Sequence, residues 1–130
     1  MVQVTGKRKT AIAKAVVKSG KGKITVNGYP LEVIDPEIAR EKMMEPLLLA
    51  GDKAKTVDIK VNVKGGGFMG QAEAVRMALV RALVKWNRSV QLKRLFTQYE
   101  RTMVAGDPRQ TEPKKFGGPG PRRRKQKSYR

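Results

Sequence analysis

Val57-Asp58-Ile59-Lys60-Val61-Asn62-Val63-Lys64, running straight into Gly65-Gly66-Gly67-Phe68-Met69-Gly70-Gln71, is the stretch whose reading decides the fold. The first eight residues alternate without a fault. Val57, Ile59, Val61 and Val63 fall on one side of an extended chain, and Asp58, Lys60, Asn62 and Lys64 on the other, which is the pattern of a half-buried strand. Beyond the glycines the period changes. Val75, Leu79, Leu83 and Trp86 recur at helical spacing, with Ala72, Ala78 and Ala82 beside them. The glycines therefore join a strand to an amphipathic helix, where φ > 0 or close approach of another backbone or a phosphate is easily met.

Three readings of that junction are open from the residues themselves. Gly65-x-Gly67-x-x-Gly70 between a strand and a helix fits a dinucleotide-binding turn, but that turn needs an acid about 20 residues on. The chain there reads Lys85-Trp86-Asn87-Arg88-Ser89-Val90-Gln91-Leu92-Lys93-Arg94, with no acid. The second reading is a tight structural turn. The third is a helix N-terminus whose backbone amides hold a nucleic-acid phosphate.

Composition narrows the classes. The 130 residues carry 29 Lys and Arg against 11 Asp and Glu, a formal charge of +18. Such an excess repels itself in isolation and implies a polyanionic partner: RNA, DNA or an anionic membrane on charge alone. With no Cys and no His, disulfides, the usual Cys/His zinc sites and the commonest neutral-pH general base are absent. Neither a spanning apolar run nor a signal peptide is legible, so a soluble, intracellular, cytoplasmic protein is expected. No cofactor, metal or small-molecule substrate is expected.

Before the central stretch, Gly6-Lys7-Arg8-Lys9-Thr10 is a basic start. It mimics part of a phosphate loop but lacks the upstream glycine, so Lys7, Arg8 and Lys9 read as a basic face. Ala11-Ile12-Ala13-Lys14-Ala15-Val16-Val17-Lys18 reads as a strand, and Ile24-Thr25-Val26 returns antiparallel. Asn27-Gly28 is a hairpin turn, and Tyr29-Pro30 begins an edge segment. Asp35 and Pro36 form a helix start, with Pro46 expected to kink or restart that helix and Gly51 to end it. Glu32, Asp35, Glu37, Glu41 and Glu45 cluster there as first-turn charges and as partners for Arg40 and Lys42. Arg81, Lys85 and Arg88 make a basic stripe on the central helix, and a third short helix is predicted over residues 90–96.

Past Gly106 the aliphatic residues stop. Residues 107–130 hold nine bases (Arg109, Lys114, Lys115, Arg122, Arg123, Arg124, Lys125, Lys127 and Arg130) against Asp107 and Glu112, and the Gly-Pro run at 117–121 forbids regular structure. The residues thus predict an α+β domain over 1–106, with a small mixed four-stranded sheet on two main helices and the 57–63 strand inside. An extended basic C-terminal tail follows over 107–130.

Gly65-Gly66-Gly67-x-x-Gly70-Gln71-x-x-Ala74, with Arg76, Ala78, Arg81, Ala82 and Leu83, resembles the signature of the ninth small-subunit ribosomal protein family. The resemblance extends to Gly6-Lys7-Arg8-Lys9-Thr10-Ala11 and to the closing Gln126-Lys127-Ser128-Tyr129-Arg130, and the ending looks archaeal or eukaryotic. It implies a β-α-β fold of the ribosomal S-five domain-two type with an uncommon left-handed crossover. It also implies a structural, non-enzymatic role in translation within the head of the small subunit. On that resemblance, small-subunit ribosomal RNA is bound by Lys7, Arg8, Lys9, Gly65, Gly66, Gly67, Gln71, Arg76, Arg81, Lys85, Arg88, Arg109, Lys114, Lys115, Arg122, Arg123, Arg124 and Lys125. Lys127, Ser128, Tyr129 and Arg130 reach the peptidyl-site transfer RNA, and neighbouring head proteins are further partners. A nucleotide-binding enzyme and a nonspecific DNA binder are the rival classes.

Overall fold

In the computed structural model, which describes residues 2–34, 37–88 and 90–99, the alternating stretch is the middle strand of a five-stranded sheet. In chain order the strands are β1 (Val2–Arg8), β2 (Ala11–Ser19), β3 (Ile24–Val26), β4 (Tyr29–Pro30) and β5 (Val57–Lys64). Their spatial order is β1-β2-β5-β3-β4. The helices are α1 (Glu37–Ala50), α2 (Phe68–Asn87) and α3 (Val90–Tyr99), with 3-10 turns at Leu31–Val33 and Gly51–Thr56.

The sheet has five strands where the sequence predicts four, because Val2–Arg8 pairs along its whole length with β2. Val2, Val4 and Gly6 alternate with Gln3, Thr5 and Lys7, but Gly6 and the charged Lys7-Arg8 pair dilute the apolar signal. The second difference is register. Ile24–Val26 does run antiparallel to β2, but it pairs with β5, in parallel, so β5 is inserted between them. Joining parallel neighbours requires a long crossover, which here passes through α1.

The Asn27-Gly28 hairpin forms as expected, with φ of 52° and 85° at its two residues and Val26 opposite Tyr29. Pro30 lies on the edge strand. One helix runs through Pro46, which packs in the core beside Ala39 and Met43. Burying that face offsets the backbone hydrogen bond that proline cannot make. Gly51, at φ 59°, ends the helix. The expected cap at Asp35 and Pro36 lies outside the described residues, as do the 106/107 boundary and the whole tail.

All helices pack on one face of the sheet. There Val57, Ile59 and Val61, with Ala11, Ala13, Ala15 and Val17, are at most 1% exposed beneath α2. Small residues let α2 come close. A Cβ on Gly6 would lie 2.3 Å from the Ala74 carbonyl oxygen, so β1 and α2 touch backbone to backbone. Covered by the sheet on one side and α1 and α3 on others, α2 buries ten of its residues. Among the described residues the result is a two-layer domain in which nothing covers the other face of the sheet.

Candidate nucleic-acid interface

At one end of the sheet, two stretches far apart in sequence converge. Strands β1 and β2 are joined by Lys9 and Thr10, with Lys9 at φ 55°. Against this turn lies the junction of β5 and α2. Gly65 and Gly66 have φ of 84° and 67°, and a Cβ on Gly65 would sit 2.5 Å from the Thr10 carbonyl oxygen. A Cβ on Gly66 would meet Ala11 and Thr10 at 3.2–3.3 Å. These two glycines are needed for backbone shape and for closeness to the basic turn. Gln71 braces the same corner, its Nε2 donating to the Gly65 carbonyl at 3.2 Å.

Gly67 is different. Its φ of −88° suits any residue, and nothing lies within 4 Å of where its Cβ would be. It is the N-cap of α2, yet it offers no side chain to the helix amides, and the first turn holds no acid. The first helical bond is Gln71 N–H to the Gly67 carbonyl, at 2.9 Å. Ahead of it, the amides of Phe68, Met69 and Gly70 have no intrahelical acceptor. With Gly67 and Phe68 exposed, the positive end of this 20-residue helix is open among the described residues, near the Lys9–Thr10 turn, an arrangement that attracts anions.

The other predicted cations divide by location. Lys7 and Lys9 are exposed. Arg8 is turned inward, and its Nε donates to Glu73 Oε2 at 2.6 Å. Lys42 of α1 reaches the second oxygen of Glu73, at 3.8 Å, so this carboxylate ties β1, α1 and α2 together. Arg76 is 5% exposed, and its guanidinium donates to Glu45 at 2.9 Å, which clamps α1 to α2. Arg81 donates to the Thr5 carbonyl at 2.9 Å, fastening α2 to β1. Its spacing marks the helix face but carries no sign that the partner is a strand 76 residues away. Lys85 and Arg88 are exposed, with Arg88 closing α2 in a left-handed conformation at φ 50°. At 1.5 Å per residue they lie about 27–32 Å along the helix from Gly67, so they form a separate patch. The tail residues Arg109 through Arg130 lie outside the described residues.

Asn27 is a positioning residue that the sequence reading reduced to a turn former. Its Nδ2 donates to the Val63 carbonyl at 3.2 Å, and its Oδ1 accepts the Val63 N–H at 2.8 Å. One side-chain amide thereby continues the β3–β5 ladder toward the glycine turn. Asp58, on the opposite sheet face, accepts the Lys23 and Lys21 amides on Oδ1 at 2.9 and 3.1 Å. Those bonds, that to Lys23 first, hold its carboxyl below the usual carboxylate range. Among the described residues no helix is long and apolar enough to cross a membrane.

A basic α+β domain with an open, uncapped helix end and a core clamped by internal ion pairs is thus the class that the fold and site define. The chain belongs to the ribosomal protein S9/S16 family, whose model matches residues 6–130. Over 130 residues it is 58% identical to the small ribosomal subunit protein uS9 of Desulfurococcus amylolyticus, covering all of this chain and 93% of that one. The uS9 protein of Thermoplasma acidophilum is 56% identical, over 97% of this chain and 98% of its own. That of Methanothrix thermoacetophila is 51% identical, over 100% and 98%. The resemblance carried by the glycine turn and the two termini holds along the whole chain, and the relatives are archaeal. A ribosomal protein of this family is a structural component, not an enzyme.

Proposed function

We propose that the chain is a structural protein of the small-subunit head in cytoplasmic ribosomes. There it binds small-subunit ribosomal RNA through the corner where the Lys9 turn meets the glycine turn. The observation that carries this reading is the open α2 N-terminus at Gly67. The fold has no need of glycine there, and an anion has room to approach three helix amides beside the turn that carries the exposed Lys9. A phosphate is the anion that fits, since the amides donate to its oxygens while Lys9 neutralises its charge, and Lys7 meets RNA from the sheet face away from the helices. Lys85 and Arg88 engage RNA at the far end of α2. Arg8, Arg76, Arg81 and Gln71 serve the same interface from beneath by fixing the elements that present it.

The tail completes the assignment. Its cations Arg109, Lys114, Lys115, Arg122, Arg123, Arg124 and Lys125 bind ribosomal RNA, and the tip Lys127-Ser128-Tyr129-Arg130 reaches the peptidyl-site transfer RNA. Support comes from the family resemblance and from chain length, because 24 extended residues span on the order of 80 Å. Neighbouring head proteins are further partners.

Gly67→Asp separates the RNA site from fold stability. Aspartate is a favoured N-cap, so the variant holds or gains stability while its carboxylate repels phosphate. Binding to purified small-subunit ribosomal RNA should weaken about tenfold or more at 0.1 M salt, the scale of one lost charged hydrogen bond. Unchanged affinity in a variant with intact helicity overturns the corner as the phosphate site. For the tip, deleting residues 127–130 should leave assembly near normal and weaken transfer RNA binding. Equal transfer RNA affinity rejects that part.

A further inference from the structure

Away from the helices, the sheet presents a face whose charge is almost entirely of one sign. Lys7 of β1, Lys14 and Lys18 of β2, and Lys60 and Lys64 of β5 all point to it, and all are exposed. The described residues include seven acids. Glu32, Glu37, Glu41, Glu45, Asp52 and Glu73 lie on helical segments, so only Asp58 stands on the sheet. Its charge is already engaged by the Lys21 and Lys23 amides. On the helical side, by contrast, cations meet acids: Arg8 with Glu73, Arg76 with Glu45, Arg40 with Glu37 and Lys55 with Asp52. None of the five sheet lysines has an ion pair among the described residues.

The register shows how the fold tolerates them. Lys7 and Lys64 both flank Ile12, Lys14 stands between Thr5 and Asn62, and Lys60 between Val16 and Thr25. Lys18 opposes Asp58. No lysine sits directly opposite another, so the strongest cross-strand repulsion is avoided. Strands lie about 4.8 Å apart and same-face residues about 6.7 Å apart along a strand, so the array covers a patch three strands wide. A shallow groove of about 460 Å³ beside β3 is lined by Lys18, Lys23, Thr25 and Lys60, and also by Asp58, whose carboxylate is held by the loop amides.

We propose that this open sheet face is a second RNA-binding surface, on which the five lysines contact phosphates of a folded RNA segment. The proposal rests on the ribosomal RNA-binding reading above and adds a surface to it. The occupant is a phosphate backbone and not splayed bases, because among the described residues the face carries no aromatic side chain on which a base could stack. Lysine suits this contact. Its apolar stem suits a sheet where Ile12 and Val16 are the cross-strand neighbours, while its ammonium, a mobile point charge, follows phosphates without fixing sequence. Thr5, Thr25 and Asn62 add neutral hydrogen-bonding groups between the charges.

The test uses the full chain, purified small-subunit ribosomal RNA and a variant with Lys14, Lys18, Lys60 and Lys64 each replaced by Gln. All four side chains are solvent-facing, so the helical circular dichroism and melting of the variant should match the parent. Each phosphate contact contributes about 0.7–0.9 to the slope of log K against log salt, so the variant's slope should be shallower by about 3. In the parent complex, acylation of those four lysines should fall several-fold relative to Lys93 on α3. An unchanged slope, or sheet lysines acylated as fast as in the free chain, overturns the proposal. Protection seen only in whole subunits, and not with RNA alone, assigns the face to a protein neighbour and also overturns it. A parent chain that fails to bind ribosomal RNA rejects the underlying reading first.

Discussion

Replacing Gly6 by alanine puts the close approach of β1 and α2 to the test. The new Cβ would lie 2.3 Å from the Ala74 carbonyl oxygen, 2.7 Å from the Ala78 nitrogen and 3.2 Å from its Cα. All three atoms are backbone of a helix packed on both sides, so no side chain can swing away. Relief requires β1 to move from α2 by about 1 Å, the distance from these contacts to ordinary van der Waals separation. A gap of 0.5–1 Å forfeits a quarter to a half of each dispersion contact it opens. Overpacking of a rigid site typically costs about 1–3 kcal/mol, and with backbone on both sides we expect about 3. That is a large share of the 5–15 kcal/mol that holds a domain of this size together. It corresponds to a melting point lower by about 12–24 °C. Urea and thermal unfolding followed by circular dichroism at fixed salt will read it. Gly28→Ala is the control, since its φ is 85° but nothing lies within 4 Å. It should lose only about 1 kcal/mol for the left-handed backbone. A Gly6→Ala protein within 0.5 kcal/mol of the parent would show that β1 and α2 are not held backbone to backbone.

Asn27→Asp should destabilise by about 2–3 kcal/mol, because an oxygen replaces the Nδ2 donor opposite the Val63 carbonyl and leaves that acceptor facing a charge. Chemical denaturation reads the loss, and equal midpoints for the two proteins would show that the ladder extension is dispensable. Asp58 sets a pH dependence. Its folded pKa is depressed, so its contribution is complete above its unfolded value of about 4 and is lost as pH falls through the lower folded value. Unfolding midpoints measured from pH 5 to 2.5 should therefore drop less steeply in Asp58→Ala than in the parent, and the Lys21 and Lys23 amides should exchange faster. Parallel pH profiles would remove Asp58 as the anchor of that loop.

By itself the sequence determined what short-range periodicity and composition encode. The alternation at 57–64 and the helical spacing from Val75 to Trp86 are physical consequences of side-chain burial, and both elements formed where they were read. The Asn27-Gly28 turn, the charge excess and the glycine signature were legible for the same reason, since each depends on neighbours in the chain. Partnerships between distant residues were not legible. Nothing in Ile24-Thr25-Val26 says that β5 will intervene before β2, because a three-residue strand satisfies either neighbour and the crossover through α1 settles the choice.

The fate of each cation was equally a tertiary matter. Arg8, Arg76 and Arg81 look like surface charges in sequence, yet Glu73, Glu45 and the Thr5 carbonyl lie where their guanidinium groups reach. A buried charge is stable only with such partners. Lys14, Lys18, Lys60 and Lys64 look like the polar half of two amphipathic strands. Only the pairing of β1, β2 and β5 assembles them into one cationic face, because which charges become neighbours is decided by strand register.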